Sequence, residues 1–566
     1  MRILAFILLP FIGATPQQAP GRTASVKGVV VHSGTLEPVA KAIVRLAKDN
    51  TSEPLAVSTG VGGGFEFQNV PAGSYVLSAA RSGYLTTSFG QRGPSGSGGA
   101  LTIEPGSNIE NIRLVMTSTG VISGRVFDST GEPLANVPVQ ALKYSYAEGR
   151  RNLTQVKADV TDDLGQFRLF WLPPGQYTIS AQPQSGAPAT VLRLRDSVAG
   201  ERTFSFDSHG LIIDTASTNL VKPGEAYVPV YFPGTADPQS ASRIDVRPGA
   251  DVRGIDFILT GVTTRKVRGT VFNGVTGQPA DTANVQLVPR SNIGNTFSGF
   301  LNQGKFEVSG VLPGSYFLVA NARIGPRDDI RIMGGRTAVD VGYSDLDNIS
   351  VTLQPAIDVE GSVTVEGRPE GLPADARPII FLQGGREGLL PSLSQSFASF
   401  NDVTQFHFNT VIEGDYQIWW DKLPPGMYVK SVMFGPVDAL SAGLHIDSRT
   451  TEKVQIVLSS NAGALEGLVR DNLRNVVPRA RVVLIPDAVR RQRADLYQST
   501  STDETGRFRL QGIPPGDYLL FAWEDIENDL WRDSEFIKRN EPSGKPVHII
   551  ENGRETIETV AIPFAY

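Results

Sequence analysis

TDETGRFRLQGIPPGDYLLFAW, residues 502–523, holds two turns and the start of a strand in a single run. Thr502-Asp503-Glu504-Thr505-Gly506-Arg507-Phe508 reads as a hairpin, in which the Asp carboxylate caps the turn, Gly supplies a positive φ and Phe returns to the interior. Pro514-Pro515-Gly516-Asp517-Tyr518 is a second turn. Proline fixes φ, glycine takes a conformation other residues resist, and the tyrosine opens a strand whose alternate residues face inward.

The same corner recurs as Pro71-Ala72-Gly73-Ser74-Tyr75, Pro173-Pro174-Gly175-Gln176-Tyr177, Pro313-Gly314-Ser315-Tyr316 and Pro424-Pro425-Gly426-Met427-Tyr428. The hairpin recurs as Thr161-Asp162-Asp163-Leu164-Gly165-Gln166-Phe167, with looser forms at Gly64-Phe65, Gly304-Lys305-Phe306 and Gly414-Asp415-Tyr416. Upstream lies an apolar-x-Gly-x-Val strand, at Val26 to Val30, Ile122 to Val126, Val267 to Val271, Val359 to Val363 and Leu465 to Val469. Its apolar positions share one side of a period-2 strand, and the repeated glycine marks a close backbone approach or a bulge. A second period-2 strand follows, as at Ala42, Val44 and Leu46 or Ala480, Val482 and Leu484. Each copy closes with one more strand, as at 103–114, 246–259, 349–353, 454–458 and 549–562. Five copies predict five units: 23–117, 118–262 with a long insertion, 263–355, 356–460 and 461–566. The fourth copy spaces its signals more widely, which predicts an insertion over 384–405. Short linkers predict a semi-extended rod.

Size agrees, because 566 residues exceed what one hydrophobic core serves. The formal charge of −6 leaves no basic excess for a phosphate backbone, so nucleic acid is not an expected partner. Cysteine is absent, which excludes disulfides, thiolate metal cages, catalytic thiols and a lipid-anchor acceptor. Arg2 followed by an apolar run to Ile12 and then small and polar residues has the order of a signal peptide over 1–19. The expected location is therefore outside the cytoplasm: periplasmic, cell-surface or extracellular. No later stretch is apolar enough to span a bilayer, so no transmembrane span is expected after the signal is removed.

Strand-Gly-strand, Thr-Asp-x-x-Gly-x-Phe and Leu-Pro-Pro-Gly-x-Tyr together resemble the carboxypeptidase regulatory-like domain. The resemblance extends over nearly all of the chain beyond residue 19. It implies an all-β array of about five seven-stranded antiparallel β-sandwiches of transthyretin-like, Ig-like form, related to collagen-adhesin B-type repeats and starch-binding-like folds. The run Tyr227-Val228-Pro229-Val230-Tyr231-Phe232-Pro233-Gly234-Thr235 looks like tandem secreted bacterial proteins of this kind.

A zinc peptidase needs a His and Glu close in sequence, a distant second His and a general-base Glu. His548 and Glu551 have the first spacing, but no His follows, and a strand would turn them to opposite faces. His32, His209, His407 and His445 are isolated, and no nucleophile elbow or phosphate-cradling loop appears. Asp162, Asp163, Asp503 and Glu504 are turn caps, being too few to supply the six to eight oxygens of a calcium site. The isopeptide cross-link of related adhesin modules is not expected, since Lys27 lies on the outward phase of its strand. No catalytic residue, metal or cofactor is expected. Candidate ligand-stacking residues are Trp171, Trp419, Trp420 and Trp523; of the adjacent pair Trp419 and Trp420, one should face outward. The expected function is a non-catalytic exported structural or adhesive protein binding an envelope protein or polysaccharide. The competing reading is a carbohydrate-binding array of starch-binding-like modules.

Overall fold

A computed structural model describes residues 23–48, 53–147, 150–182, 191–196, 200–206, 212–214, 224–290, 296–324, 331–367, 372, 377–384 and 395–564. The expected signal peptide lies outside them. The chain separates into two compact units, Met1–Ser118 and Thr119–Tyr566. Among the described residues no helix is long and apolar enough to cross a membrane.

Five separate apolar interiors organise the strands, and the sandwiches around them are numbered here as modules 1 to 5. In module 1 one sheet runs Gly64–Val70, Ala24–His32, Asn108–Met116 and the other runs Leu55–Ser58, Ile43–Ala47, Gly73–Ala80. Val26, Leu46, Phe67, Leu77 and Leu114 meet between them. Among the described residues the strand ladders are antiparallel except where the first strand runs parallel to the closing strand, as in Ala24–His32 with Asn108–Met116 and Gly463–Arg470 with Arg554–Val560.

The glycine of the first strand explains its own recurrence. A Cβ on Gly28 would lie 2.4 Å from the Ile112 carbonyl oxygen, and one on Gly269 1.7 Å from that of Ile349. The Phe of the hairpin presses on the same spot from inside, with Phe65 2.6 Å from the Gly28 position and Phe406 2.2 Å from that of Gly361. Close approach and bulge both hold, since the register slips between Val26 and Gly28 and between Val267 and Gly269.

The corner tyrosines tie their turns from inside. Tyr75 Oη donates to the Pro71 carbonyl (2.8 Å), Tyr316 to Leu312 (2.9 Å) and Tyr518 to Pro514 (2.8 Å). Burial pushes the Tyr316 and Tyr518 phenols up to about 12. The hairpin threonine is buried as well, with Thr502 Oγ1 donating to Val477 O (2.6 Å) and accepting from Ala480 N–H (2.8 Å).

Module 4 corrects the expected register. Its corner is Ile412-Glu413-Gly414-Asp415-Tyr416, where Tyr416 Oη donates to Ile412 O at 2.7 Å. Its hairpin cap is Asp402, which accepts from the Thr404 and Gln405 N–H groups, both at 2.7 Å. The corner lacks proline, so the stronger Pro424-Pro425-Gly426 signal drew the assignment; that turn instead opens an additional strand, Tyr428–Phe434. The expected insertion likewise contains a strand, Gln395–Phe400, paired with Ile379–Gly384 and Gln405–Val411. In module 2, the strands Val191–Asp196, Gly200–Phe206 and Ile212–Asp214 of the insertion make a sheet of their own.

Module 3 closes into a barrel, and module 4 is one sheet of nine strands. Closure in module 3 uses Phe297–Asn302, which pairs on both sides, and Arg331–Val341, which meets Leu346–Pro355 at Met333 and Gly334. Gly335 lets those strands approach, since its Cβ would lie 2.0 Å from Thr352 O.

On the surface of module 3, Glu307 accepts from Lys266 Nζ (2.9 Å), Arg268 Nε (2.8 Å) and Ser309 Oγ (2.9 Å). These donors, Lys266 first, hold its carboxyl down to about 2, against an ordinary value of 4.5. A carboxyl depressed by folding stabilises above its unfolded value, and that contribution is lost as pH falls toward the folded one. Acid titration between about pH 5 and pH 2 should therefore loosen module 3, read as faster amide exchange in 265–273 and 305–311. Glu307→Gln should remove that pH window.

Within the unit Thr119–Tyr566, modules 2 and 5 touch, which overturns the extended rod for this unit. Lys143 Nζ meets Glu527 at 3.2 Å, and Tyr146 donates to the Asp533 carboxylate. The sequence hid this contact because its residues lie far apart along the chain and no local motif marks them.

Candidate functional site

The four candidate tryptophans take four different environments. Trp523 is 4% exposed and belongs to a second interior of module 5, with Val483, Ile485, Phe521, Trp531 and Ile537. It lies parallel to Phe521, ring centroids 5.1 Å apart at 8°. Residues 524–544, including the helix Ser534–Asn540, cover this outer sheet face, so Trp523 offers no ring to a ligand.

Trp171 is 56% exposed at φ 61°. Asn69, Gly310, Thr410 and Gly512 occupy the matching positions, all at positive φ, so the fold requires the left-handed region there. The indole packs edge-on against Phe170 (4.9 Å), and Lys157 Nζ lies 4.6 Å from the Phe170 centroid and 5.8 Å from that of Trp171. A bulky residue is strained in this conformation. Trp171→Gly is expected to raise the stability of module 2 by up to about 1 kcal/mol, measured by chemical denaturation.

Trp419 and Trp420 split between the two faces of the strand Gly414–Asp421. Trp420 packs against the module 4 interior and lines a cavity of about 300 Å³ with Pro424, Met427, Asp495 and Pro514. Trp419 faces the other way. Its cross-strand partner is Phe381, whose own partner is Phe397, so one aromatic from each of three adjacent strands forms a row. Phe397 is 57% exposed, and its ring centroid is 5.4 Å from that of Phe381. Gln395, Gln383 and Gln417 form a second row alongside by the same pairings, with Gln395 Nε2 donating to Gln383 Oε1 at 2.6 Å. Beside Trp419 lies a cavity of about 250 Å³, walled by Leu440, Ser441, Arg493 and Ala494. The buried Trp419 indole N–H has no acceptor. Sequence reasoning found Trp419 but missed Phe381, Phe397 and the glutamines, which no local motif marks.

Elsewhere the titratable groups perform structural work. Asp503 caps its hairpin, accepting from Thr505 Oγ1 (2.7 Å) and from the Thr505 and Arg507 N–H groups (2.8 and 3.0 Å), which holds its carboxyl low. Asp128 does the same for Thr130 and Glu132, and Glu360 and Glu366 are lowered by hydrogen bonds from Lys453 and Lys430. His548 shares a hydrogen bond with Asp517 between exposed side chains on two paired strands (2.7 Å), while Glu551 lies past the end of its strand. His445 and Asp415 make the corresponding pair in module 4 (2.6 Å). Lys27 meets Glu66 at 3.3 Å on the surface. Among the described residues no group of three or more His, Cys, Asp or Glu could hold a metal ion.

Residues 25–117 and 121–206 match the carboxypeptidase regulatory-like domain. No curated protein matches. Solved structures with similarity include a minor pilin of Streptococcus agalactiae, at 13% identity over 42% of this chain and 96% of that one, TM-score 0.20. The major pilin subunit BcpA of Bacillus cereus matches at 12% identity over 79% of this chain and 100% of that one, TM-score 0.14. A putative adhesin from Bacteroides ovatus matches at 11% over 40% and 91%, TM-score 0.17. Superpositions at these scores carry no argument about this chain's role.

Proposed function

The chain carries carboxypeptidase regulatory-like domains in tandem, and from that premise we propose that it is a non-catalytic, exported structural or adhesive protein that binds an envelope component. The proposed division is 23–117, 118–262, 263–355, 356–460 and 461–566. One observation carries the reading. Active sites shift pKa values by converging groups in a cleft, whereas most of the shifted groups among the described residues cap turns, pair across strands or tie corners. Chemistry would need such a cleft, while binding needs only rigid surfaces on well-packed sandwiches.

Incubating the full chain with peptide, ester and glycoside libraries should give no turnover. A cross-linked pull-down from the native envelope should return a partner. Turnover that survives purification and disappears with a point substitution in any module would overturn the proposal.

A further inference from the structure

Within the unit Thr119–Tyr566 the contacts between modules close a cycle. Modules 2 and 3 share a ribbon, Glu225–Tyr227 paired with Gly261–Thr263. Its Tyr227 enters the interior of module 2, while Ala226, Val228 and Val262 pack against that of module 3. Module 3 meets module 4 where a Cβ on Gly334 would lie 2.5 Å from Ile412, with Arg336 3.9 Å from Asp415. Module 4 meets module 5 where Trp420 and Met427 line one cavity with Asp495 and Pro514, and a Cβ on Gly512 would lie 3.3 Å from Met427 O. Module 5 then returns to module 2. Tyr146 bonds to Asp533, and Lys143 reaches both Glu527 (3.2 Å) and the Pro174 carbonyl of the module 2 corner (3.4 Å).

This last joint differs from the other three. Consecutive modules are also tied by the chain itself, whereas Tyr146 and Asp533 stand 387 residues apart. Among the described residues no sheet contains strands of both module 2 and module 5. The modules, by contrast, are built to bear load. In each of these four the first strand pairs in parallel with the closing strand, as Arg265–Asn273 does with Leu346–Pro355 and Ile357–Val365 with Val454–Ser459. A pull that enters by the first strand and leaves by the closing one slides the two along each other, so the evenly spaced bonds of the ladder share it. A pull between the start of module 2 and the end of module 5 takes its short path through the joint between them, which has no ladder. We infer that this joint is a releasable latch: tension across the unit parts Tyr146 from Asp533 and Lys143 from Glu527 before any module unfolds, and the four modules open from a cycle into a row. Both sides of the latch sit on formed elements, the strand Pro138–Ala147 and the cap of the helix Ser534–Asn540, so they are ready to meet again when tension falls. Closing is intramolecular, which lets a small contact hold at rest through its high effective concentration. The latch is a property of this unit and does not depend on what the chain binds.

Optical-tweezers stretching of the full chain tests the inference. The chain has no cysteine, so Thr119→Cys and Pro563→Cys supply two unique points for DNA handles. Four modules of roughly 35 Å in a row reach about 140 Å, so opening the latch should appear as a step shorter than ~140 Å. Unfolding one module of roughly 100 residues releases about 300 Å, which keeps the two events apart. The short step should come first and should hop forward and back at constant force. Tyr146→Phe with Lys143→Ala should abolish it or lower its force at least twofold, leaving the long steps in place as proof that the modules are folded. Asp533→Asn with Glu527→Gln attacks the latch from module 5 with a residue that still caps the helix, and should give the same result. Three outcomes would overturn the inference: a parent chain whose first step is a long one, a short step that both double variants leave at the parent force, or a short step that never reverses.

Discussion

Gly467→Ala is expected to unfold module 5 selectively, lowering its stability by about 3 kcal/mol. The added methyl carbon would sit 2.2 Å from the Ile557 carbonyl oxygen and 2.6 Å from the Phe508 ring. Neither neighbour can yield cheaply. Ile557 belongs to the closing strand, whose parallel pairing to Gly463–Arg470 runs from Ala464–Arg554 to Arg470–Val560. Phe508 is 4% exposed and packs with Leu465, Val482 and Leu520. The strand must move out, the ring must turn, or both. For a module of this size about 3 kcal/mol corresponds to a melting shift of more than ~10 °C. Because each module has its own interior, calorimetry should show one early transition and not a uniform shift. Val489→Ala, at an 82% exposed site, is the control and should change nothing. A Gly467→Ala chain that melts with the parent would mean the close approach is wrong.

That glycine also shows what a sequence can disclose. A residue kept at one place in five copies of a strand, with polar neighbours on the alternate phase, announces a backbone contact, and its partner carbonyl is found where a closing strand was expected. The corner announced itself less evenly. Proline and glycine are strong local signals, so Pro424-Pro425-Gly426 outweighed Ile412-Glu413-Gly414, although the bond that defines the corner belongs to Tyr416. Local grammar identifies a turn without saying which sheet the next strand joins. The aromatic row was less legible still. Trp419 was visible as a large ring in a strand, but Phe381 and Phe397 become its neighbours only through cross-strand register. Trp523 failed as a candidate for a related reason, because the segment that buries it lies outside the repeat.

Asp533→Ala should loosen residues 524–544 at two points, the cap of their helix and their bond to module 2, with a loss of about 2–3 kcal/mol. Asp533 is 8% exposed and caps the helix Ser534–Asn540 by accepting from Phe536 N–H at 2.8 Å. The same carboxylate accepts the Tyr146 hydroxyl proton from module 2, and Tyr146 is itself 8% exposed. Bonds from a neutral donor to a charged acceptor are stronger than neutral ones, and burial shields this one from competing water. Losing the cap alone costs about 1 kcal/mol; the bond between modules should supply the rest. A double-mutant cycle on Tyr146→Phe and Asp533→Asn should therefore return a coupling of about 1–2 kcal/mol. The Lys143–Glu527 pair beside it, with Lys143 only 13% exposed, should couple more weakly because Glu527 is 44% exposed. Hydrogen exchange gives the spatial readout: Asp533→Ala should accelerate exchange in 524–544 and in the strand Pro138–Ala147, leaving Ile357–Val365 unchanged. Acceleration confined to module 5, with zero coupling to Tyr146, would show that the contact between modules 2 and 5 contributes nothing to the stability of this unit.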